Sequence, residues 1–287
     1  MLNEISDFIT YPRTFENYKW YKPILVIIVT VILGMLFNLI IAGILYFLYG
    51  TSIAAIFQSG EYEALNSEIG LIASLLSLAV MIPALYIASK IVKDRPFSSY
   101  LSTRGGWNFR LYFKALIIPL VCVVLTQLLL FFMGSQRGVY HFSLLLLVVA
   151  VIFVPLQTIA EECLFRGFLM QTLGSWFKIP VLALVIQAII FALSHGYNSI
   201  GLTEIFISGL LFGFLTLKTD GIEVSSAFHT ANNFTIFVFG MLGLGATTSS
   251  PVLSETVISI IAEILICALM YYVGKKTDWY GEIPQND

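Results

Sequence analysis

The sequence predicts an all-α fold, a polytopic membrane bundle of about eight transmembrane helices. Three observations carry that expectation. The chain is 58% hydrophobic and only 11% charged over 287 residues, where a soluble globular chain carries roughly 25% charged residues. Its apolar residues gather into runs of about 20, the length a helix needs to cross a bilayer. Those runs are continuously apolar rather than alternating, which excludes barrel strands. Mean hydropathy is +0.90 and the net charge of -2 is small and dispersed. The lipid bilayer is therefore an expected partner, and nucleic acid is not.

The elements follow in order. The opening stretch "ISDFITYPRTFENYKWYKP" is rich in aromatic and basic residues. It is read, over 1–22, as a cytoplasmic segment at the membrane surface, with Trp20 and Tyr21 as interfacial anchors. The first apolar run is too long for the h-region of a cleaved signal peptide. Spans are expected at roughly 23–49, 69–92, 111–133, 143–173, 180–195, 199–217, 222–243 and 254–274. The fourth is longer than a bilayer needs and should tilt or protrude; the fifth is short. The connection "KDRPFSSYLSTRGGWNFRLYFK" reads as a basic loop against anionic lipid, or as a loop that admits substrate. No repeat, low-complexity tract or linker divides residues 23–287, which are read as one transmembrane domain. Cys122, Cys163 and Cys267 lie in apolar runs without metal-ligand spacing and read as inert buried thiols.

Basic residues orient this bundle. With eight spans, Arg13, Lys19, Lys22, Lys90, Lys93, Arg95, Arg104, Arg110, Lys114, Lys178, Lys218, Lys275 and Lys276 all fall on one side. Arg137 alone falls on the other, and Arg166 lies within a span. The positive-inside rule then places both termini in the cytoplasm.

Several ionisable groups and amides interrupt the later spans, where a charge costs a few kcal/mol or more. "TIAEECLFRG" carries Glu161, Glu162 and Arg166; "FALSH" ends with His195; "AFHTANNF" carries His229, Asn232 and Asn233. Residues four apart share a helix face, so Glu162 and Arg166 can neutralise each other, and His229 and Asn233 point the same way. Glu161 lies about 100° around the helix from Glu162, which leaves it free for another partner. Counted at 1.5 Å per residue from the cytoplasmic ends, Glu161 is about 18 Å deep, His195 about 22 Å, and His229 and Asn233 about 10 and 16 Å. One cluster below the bilayer surface is thus allowed. A carboxylate beside an imidazole can take a proton from water, and a second imidazole with an amide can stabilise an oxyanion, which suits amide hydrolysis. The same set could hold a divalent metal such as zinc through Glu161, His195 and His229, although no His-Glu-x-x-His signature supports it. Packing glue between helices is the plain alternative. Of the remaining groups, His141 reads as a surface histidine and Glu204 as a side chain reaching the headgroups. Glu263 reads either as protonated in a packed interface or as lining a cavity.

"EECLFR", "FALSH" and "HTANN" match Glu-Glu-x-x-x-Arg, Phe-x-x-x-His and His-x-x-x-Asn, in that order on successive late spans. Together they resemble the CPBP family of intramembrane proteases, which includes CAAX-processing endopeptidases and bacterial bacteriocin-processing and immunity proteins. The resemblance covers about Leu145 to Phe239 and implies a catalytic core at about 145–239. It implies an eight-helix bundle with a cavity open to the cytoplasm and a peptide or protein substrate entering from that side. It makes Glu161 the base that activates water together with His195, and His229 with Asn233 the oxyanion-stabilising pair. Glu162 and Arg166 become supporting residues, and Phe191 a packing aromatic. The expected reaction is metal-free, with the divalent metal as alternative. The expected location is integral, in a bacterial plasma membrane. A non-proteolytic regulator or immunity protein, binding another membrane protein such as a sensor kinase or a bacteriocin, is the rival reading. A proton- or ion-coupled transporter is disfavoured, because no inverted repeat or matched pair of broken helices is evident.

Overall fold

The computed structural model describes residues 7–50, 68–245 and 248–277. Residues 1–6 of the expected segment 1–22, and 51–67, 246–247 and 278–287 of the expected domain 23–287, lie outside the described residues. A short helix α1 (Asp7–Thr10) and a 3-10 turn (Tyr11–Thr14) lead into α2 (Lys22–Tyr49). Helices α3 (Glu68–Ala79) and α4 (Met81–Val92) form one interrupted span, followed by the short α5 (Ser98–Leu101) and by α6 (Phe109–Phe132). Helix α7 (Leu144–Glu162) runs through a π-helical segment (Cys163–Met170) into α8 (Gln171–Phe177). Helices α9 (Pro180–Leu193), α10 (Ser199–Thr219), α11 (Glu223–Met241) and α12 (Leu253–Thr277) complete the bundle. No strand occurs among the described residues; one isolated bridge pairs Ser102 with Gly221.

The helix starts follow from local sequence. Asn108, Ser143 and Asn198 precede α6, α7 and α10, and each side-chain oxygen accepts from the backbone N–H three residues on, satisfying a donor the helix leaves unpaired. Pro23 and Pro180 occupy the first turns of α2 and α9, where the missing N–H costs nothing. Gly50 closes α2 at a φ of 65°, a left-handed conformation that glycine adopts without strain.

All eight expected spans are helical, but only six are long and apolar enough to cross a membrane by length and composition. The other two are α9 and α11. Helix α9 has 14 residues, about 21 Å against a hydrocarbon core of about 30 Å. Helix α11 is long enough but carries buried Glu223, Ser225, Ser226, His229, Thr230 and Thr235. It is shielded by neighbours instead, packing against α6, α7 and α10. The polytopic helical bundle expected from composition is thus the observed fold. Its outer surface is apolar: Leu39, Ile40, Phe47 and Leu48 on α2 and Phe113, Val121 and Leu125 on α6 are exposed, as lipid-facing helices require.

The end of the bundle that carries the basic connections holds a plug of paired polar groups. Asp94 and Arg95 are buried. Arg95 donates to the Gln171 side chain and to the Gly167 carbonyl, and its guanidinium lies 3.9 Å from the Tyr100 ring centroid. The Tyr100 hydroxyl donates to Asp94 at 2.8 Å; burial pushes this phenol above the ordinary tyrosine range, so it stays protonated. Arg104 donates to Glu223 at 2.9 Å and to the Thr219 carbonyl, while Ile222 N–H donates to the Leu101 carbonyl at 2.9 Å. This corrects part of the reading of 93–114 as a loop lying on lipid: Asp94, Arg95 and Arg104 are spent inside the protein, while Lys93 and Arg110 stay exposed. The amino-terminal segment is likewise more than a surface piece, because Phe8 and Ile9 are fully buried in a cluster with Leu173 and Met170. Trp20 and Tyr21 are exposed, as interfacial anchors should be.

The plug predicts a sensitive glycine. A Cβ at Gly167 would run into the Tyr100 carbonyl, whereas one at Gly43 meets nothing within 4 Å. Gly167→Ala should therefore cost about 1–3 kcal/mol through overpacking. The expected readout is a lowered thermal midpoint of the detergent-solubilised protein, with Gly43→Ala at or above the wild-type value.

Candidate active site

Three elements supply the site: the end of α7 with its π-helical continuation, the end of α9, and the middle of α11. π-Helical hydrogen bonding widens the turn and recurs at functional sites. Here it begins immediately after Glu162 and contains Arg166. Arg166 and Glu162 are fully buried and form an ion pair at 2.9 Å. Arg166 also donates to the Gly209 carbonyl at 3.3 Å. Two rings complete its surroundings, with the guanidinium 4.3 Å from the Phe191 centroid and 5.3 Å from that of Phe212.

Glu162 has a second partner that spacing did not reveal. The Nδ1 of His229 lies 3.0 Å from the same Oε1 that binds Arg166. The His229 ring stacks on Phe212 at 5.0 Å and meets the Phe191 edge at 5.9 Å. With its Nδ1–H donating to Glu162, the ring is fixed with Nε2 toward Glu161, 3.5 Å from Oε2. This Glu161 oxygen is buried and receives no hydrogen bond, whereas Oε1 accepts from Gln157 Nε2 at 2.6 Å. Gln157 accepts in turn from Asn233 Nδ2 at 3.3 Å. Glu161, Glu162, Arg166, His229 and Asn233 are thus brought into one connected network.

Gln157 and Phe212 were missed. Gln157 sits four residues before Glu161, on the same helix face, so its spacing could have found it. Phe212 left no comparable signal, since an aromatic residue in an apolar helix reads as packing.

His195 departs from expectation. Helix α9 ends at Leu193, so His195 lies in the connection beyond it rather than within the span. Its Nδ1 is 2.8 Å from the Phe191 carbonyl, and its ring packs on Phe191 at 4.8 Å. The Phe191 ring touches both imidazoles, and no hydrogen bond or ion pair joins His195 to Glu161 among the described residues. The two do face one cavity, of about 670 Å³, with His229 and Asn233. For the same reason Glu161, His195 and His229 do not fit a metal as placed: among the described residues no three His, Cys, Asp or Glu side chains converge as a metal-holding set. No step below is routed through a metal.

Ser135, Gln136, Tyr197, Gly245, Thr248 and Glu255 also line the cavity, and none of the fifteen basic residues does. Glu204 faces this cavity rather than the headgroups, and Glu263 lines it while accepting from Ser208 Oγ at 2.7 Å.

Residues 140–235 match the Rce1-like type II CAAX prenyl endopeptidase family. That segment holds Glu161, Glu162, Arg166, His195, His229 and Asn233, so the resemblance carried by the three motifs is borne out where the motifs lie. The Rce1-like family is one of proteases, which supports an endopeptidase within an integral membrane protein. A Bacillus subtilis (strain 168) protein, the uncharacterized protein YyaK, is 28% identical over 217 residues, covering 68% of this chain and 73% of that one. No solved structure gives a significant match.

The two adjacent glutamates should separate cleanly on substitution. Glu162→Ala leaves Arg166 as a buried charge without its counterion and should destabilise by about 3–5 kcal/mol. Glu161→Gln keeps an acceptor for Gln157 and should leave the thermal midpoint near wild type. Thermal unfolding of both purified variants checks this.

Proposed function

We propose that the protein is an intramembrane endopeptidase whose base is Glu161, acting on a peptide or membrane-associated protein with water as nucleophile. The observation that carries this reading is the buried Glu161 Oε2, without a hydrogen-bond donor on a cavity wall and 3.5 Å from His229 Nε2. An ionised carboxylate oxygen left in that state is costly, and a water donating to it relieves the cost.

In the proposed reaction Glu161 takes a proton from that water as the water oxygen bonds to the scissile carbonyl carbon. The carbonyl oxygen becomes an oxyanion. Asn233 donates to it from Nδ2, and His229, held at Nδ1 by Glu162, flanks it as the second member of the oxyanion pair. Glu161 then returns its proton to the amide nitrogen, the carbon–nitrogen bond breaks, and the amine leaves. The Nδ1–H of His195 is held by the Phe191 carbonyl, so its Nε2 is the free acceptor. It orients substrate N–H groups or water at the cavity edge. Glu162 and Arg166 touch no substrate in this scheme; they hold His229.

The test compares membrane and secreted peptides from cells carrying the wild type and Glu161→Gln. The expected result is a cleavage product present only with the wild type; identical peptide sets under every growth condition tested would sink the reading. Gln157→Leu removes the 2.6 Å bond to Glu161. Losing a hydrogen bond to a charged group costs about 1.5–3 kcal/mol, so cleavage should slow about ten- to a hundredfold. Assaying the purified protein with and without added chelator and zinc tests the metal alternative separately.

A further inference from the structure

Three hydroxyl groups form a chain through the bundle, from α6 across α11 to α7. Tyr112, Thr230 and Thr158 carry them; all three are buried, and none lines the cavity. The Tyr112 hydroxyl lies 2.9 Å from Thr230 Oγ1, which lies 2.7 Å from Thr158 Oγ1. Thr158 Oγ1 in turn donates to the Pro155 carbonyl at 3.1 Å. Each hydroxyl has one hydrogen to donate, so the chain has a fixed direction. A carbonyl only accepts, which spends the Thr158 hydrogen on Pro155. Thr230 must then donate to Thr158, and Tyr112 to Thr230.

The chain runs beside the site. Thr230 directly follows His229 on α11. Thr158 lies three and four residues before Glu161 and Glu162, one turn away on their side of α7. The 2.7 Å bond therefore joins these two helices next to the His229 contacts, which are 3.5 Å to Glu161 and 3.0 Å to Glu162. The far end is anchored as well. The Asn108 N–H donates to Oε1 of Glu223, the first residue of α11, at 3.1 Å, and the Tyr112 ring packs on Trp107 at 5.3 Å. In lipid, packing and interhelical hydrogen bonds decide how helices sit against one another. A displacement of about 1 Å at a reacting group can cost about a hundredfold in rate.

Resting on the endopeptidase reading, we infer that Tyr112, Thr230 and Thr158 are positioning residues of the active site. Their hydroxyl chain sets α11 against α7 so that one imidazole, His229, meets both glutamates.

The full-length protein in detergent, with isotopically labelled histidine, tests this by NMR. It has three histidines, and His229→Gln identifies the His229 signals. The readout is solvent exchange of the Nδ1 hydrogen that Glu162 accepts. The wild type should show it protected; an unprotected Nδ1–H overturns the inference. Thr230→Val and Thr158→Val keep the side-chain shape without the hydroxyl and should speed exchange at least about fivefold, the worth of one hydrogen bond. Thr230→Ser should stay within about twofold of wild type. Leu85→Ala, a truncation at a fully buried position on α4, should lower the thermal midpoint without speeding exchange. Unchanged exchange in the valine variants, or equal acceleration by Leu85→Ala, overturns the positioning role. Should Thr230→Val fail to fold, Thr158→Val against Thr158→Ser decides. Exchange needs no turnover, so a failed endopeptidase reading shows separately, as identical peptide sets from wild type and Glu161→Gln. Where a wild-type-only product forms, Thr230→Val should slow it about tenfold or more and Thr230→Ser should not; undiminished formation by Thr230→Val overturns the inference.

Discussion

The buried Arg166 guanidinium imposes the constraint on which the site depends. It has no exposed surface, and an isolated charge in so dry a place would be prohibitive. Glu162, one turn earlier, supplies the counterion, and the Phe191 and Phe212 rings supply cation–π contact. Glu162 is thereby held in place, and its Oε1 also faces His229 Nδ1. The ion pair thus acts less as a stabilising contact than as a fixed post. It sets the His229 ring on Phe212, turns Nε2 toward Glu161, and leaves Glu161 free of structural duty.

Much of this was legible in the sequence, for reasons that spacing makes plain. Helical periodicity alone pairs Glu162 with Arg166 and puts His229 and Asn233 on one face, and it leaves Glu161 uncommitted. The apolar runs located every span, because lipid demands length and hydrophobicity of each helix it surrounds. What stayed hidden depends on where helices stop or whom they touch. Nothing in "FALSHG" says that α9 ends two residues short of His195, so depth counting placed that imidazole inside the span. Gln157 is an amide in a greasy run, visible only once Glu161 is known to need a donor. The loop at 93–114 reads as a lipid-facing basic segment because the partners of Arg95 and Arg104, namely Gln171, Thr219 and Glu223, are more than 70 residues away.

The exceptions to membrane-helix rules coincide with the site. Helix α9 is too short to span unaided and α11 too polar to face lipid, yet they carry Phe191 and His229 with Asn233. Helix α11 is shielded by longer, greasier helices, whereas α9 keeps Ile189, Ile190 and Leu193 exposed on one side. The shortness of α9 also has a consequence: its chain turns at Ser194, so His195 comes to the edge of the cavity instead of its floor. In α7 the regular hydrogen-bond ladder gives way to π-helical turns directly after Glu162, and Gly167 in those turns admits the Tyr100 backbone. The element that presents Glu161 to the cavity and pairs Glu162 with Arg166 therefore also packs against the connection before α6.

The polar groups in the bundle divide by whether they find partners within the chain. Below the carboxylates, Asp94 pairs with Arg95 and Tyr100, and Glu223 pairs with Arg104. Around the cavity, Glu161 meets the Gln157 amide and faces His229, Glu263 meets the Ser208 hydroxyl, and Glu204 and Glu255 line the wall. A polar group kept near the middle of a membrane is tolerated when it is paired, and a paired set needs nothing from outside. Glu161 is the member of the cavity-lining set whose buried Oε2 lacks a hydrogen-bond donor on the cavity wall, and a water molecule is the complement its geometry calls for.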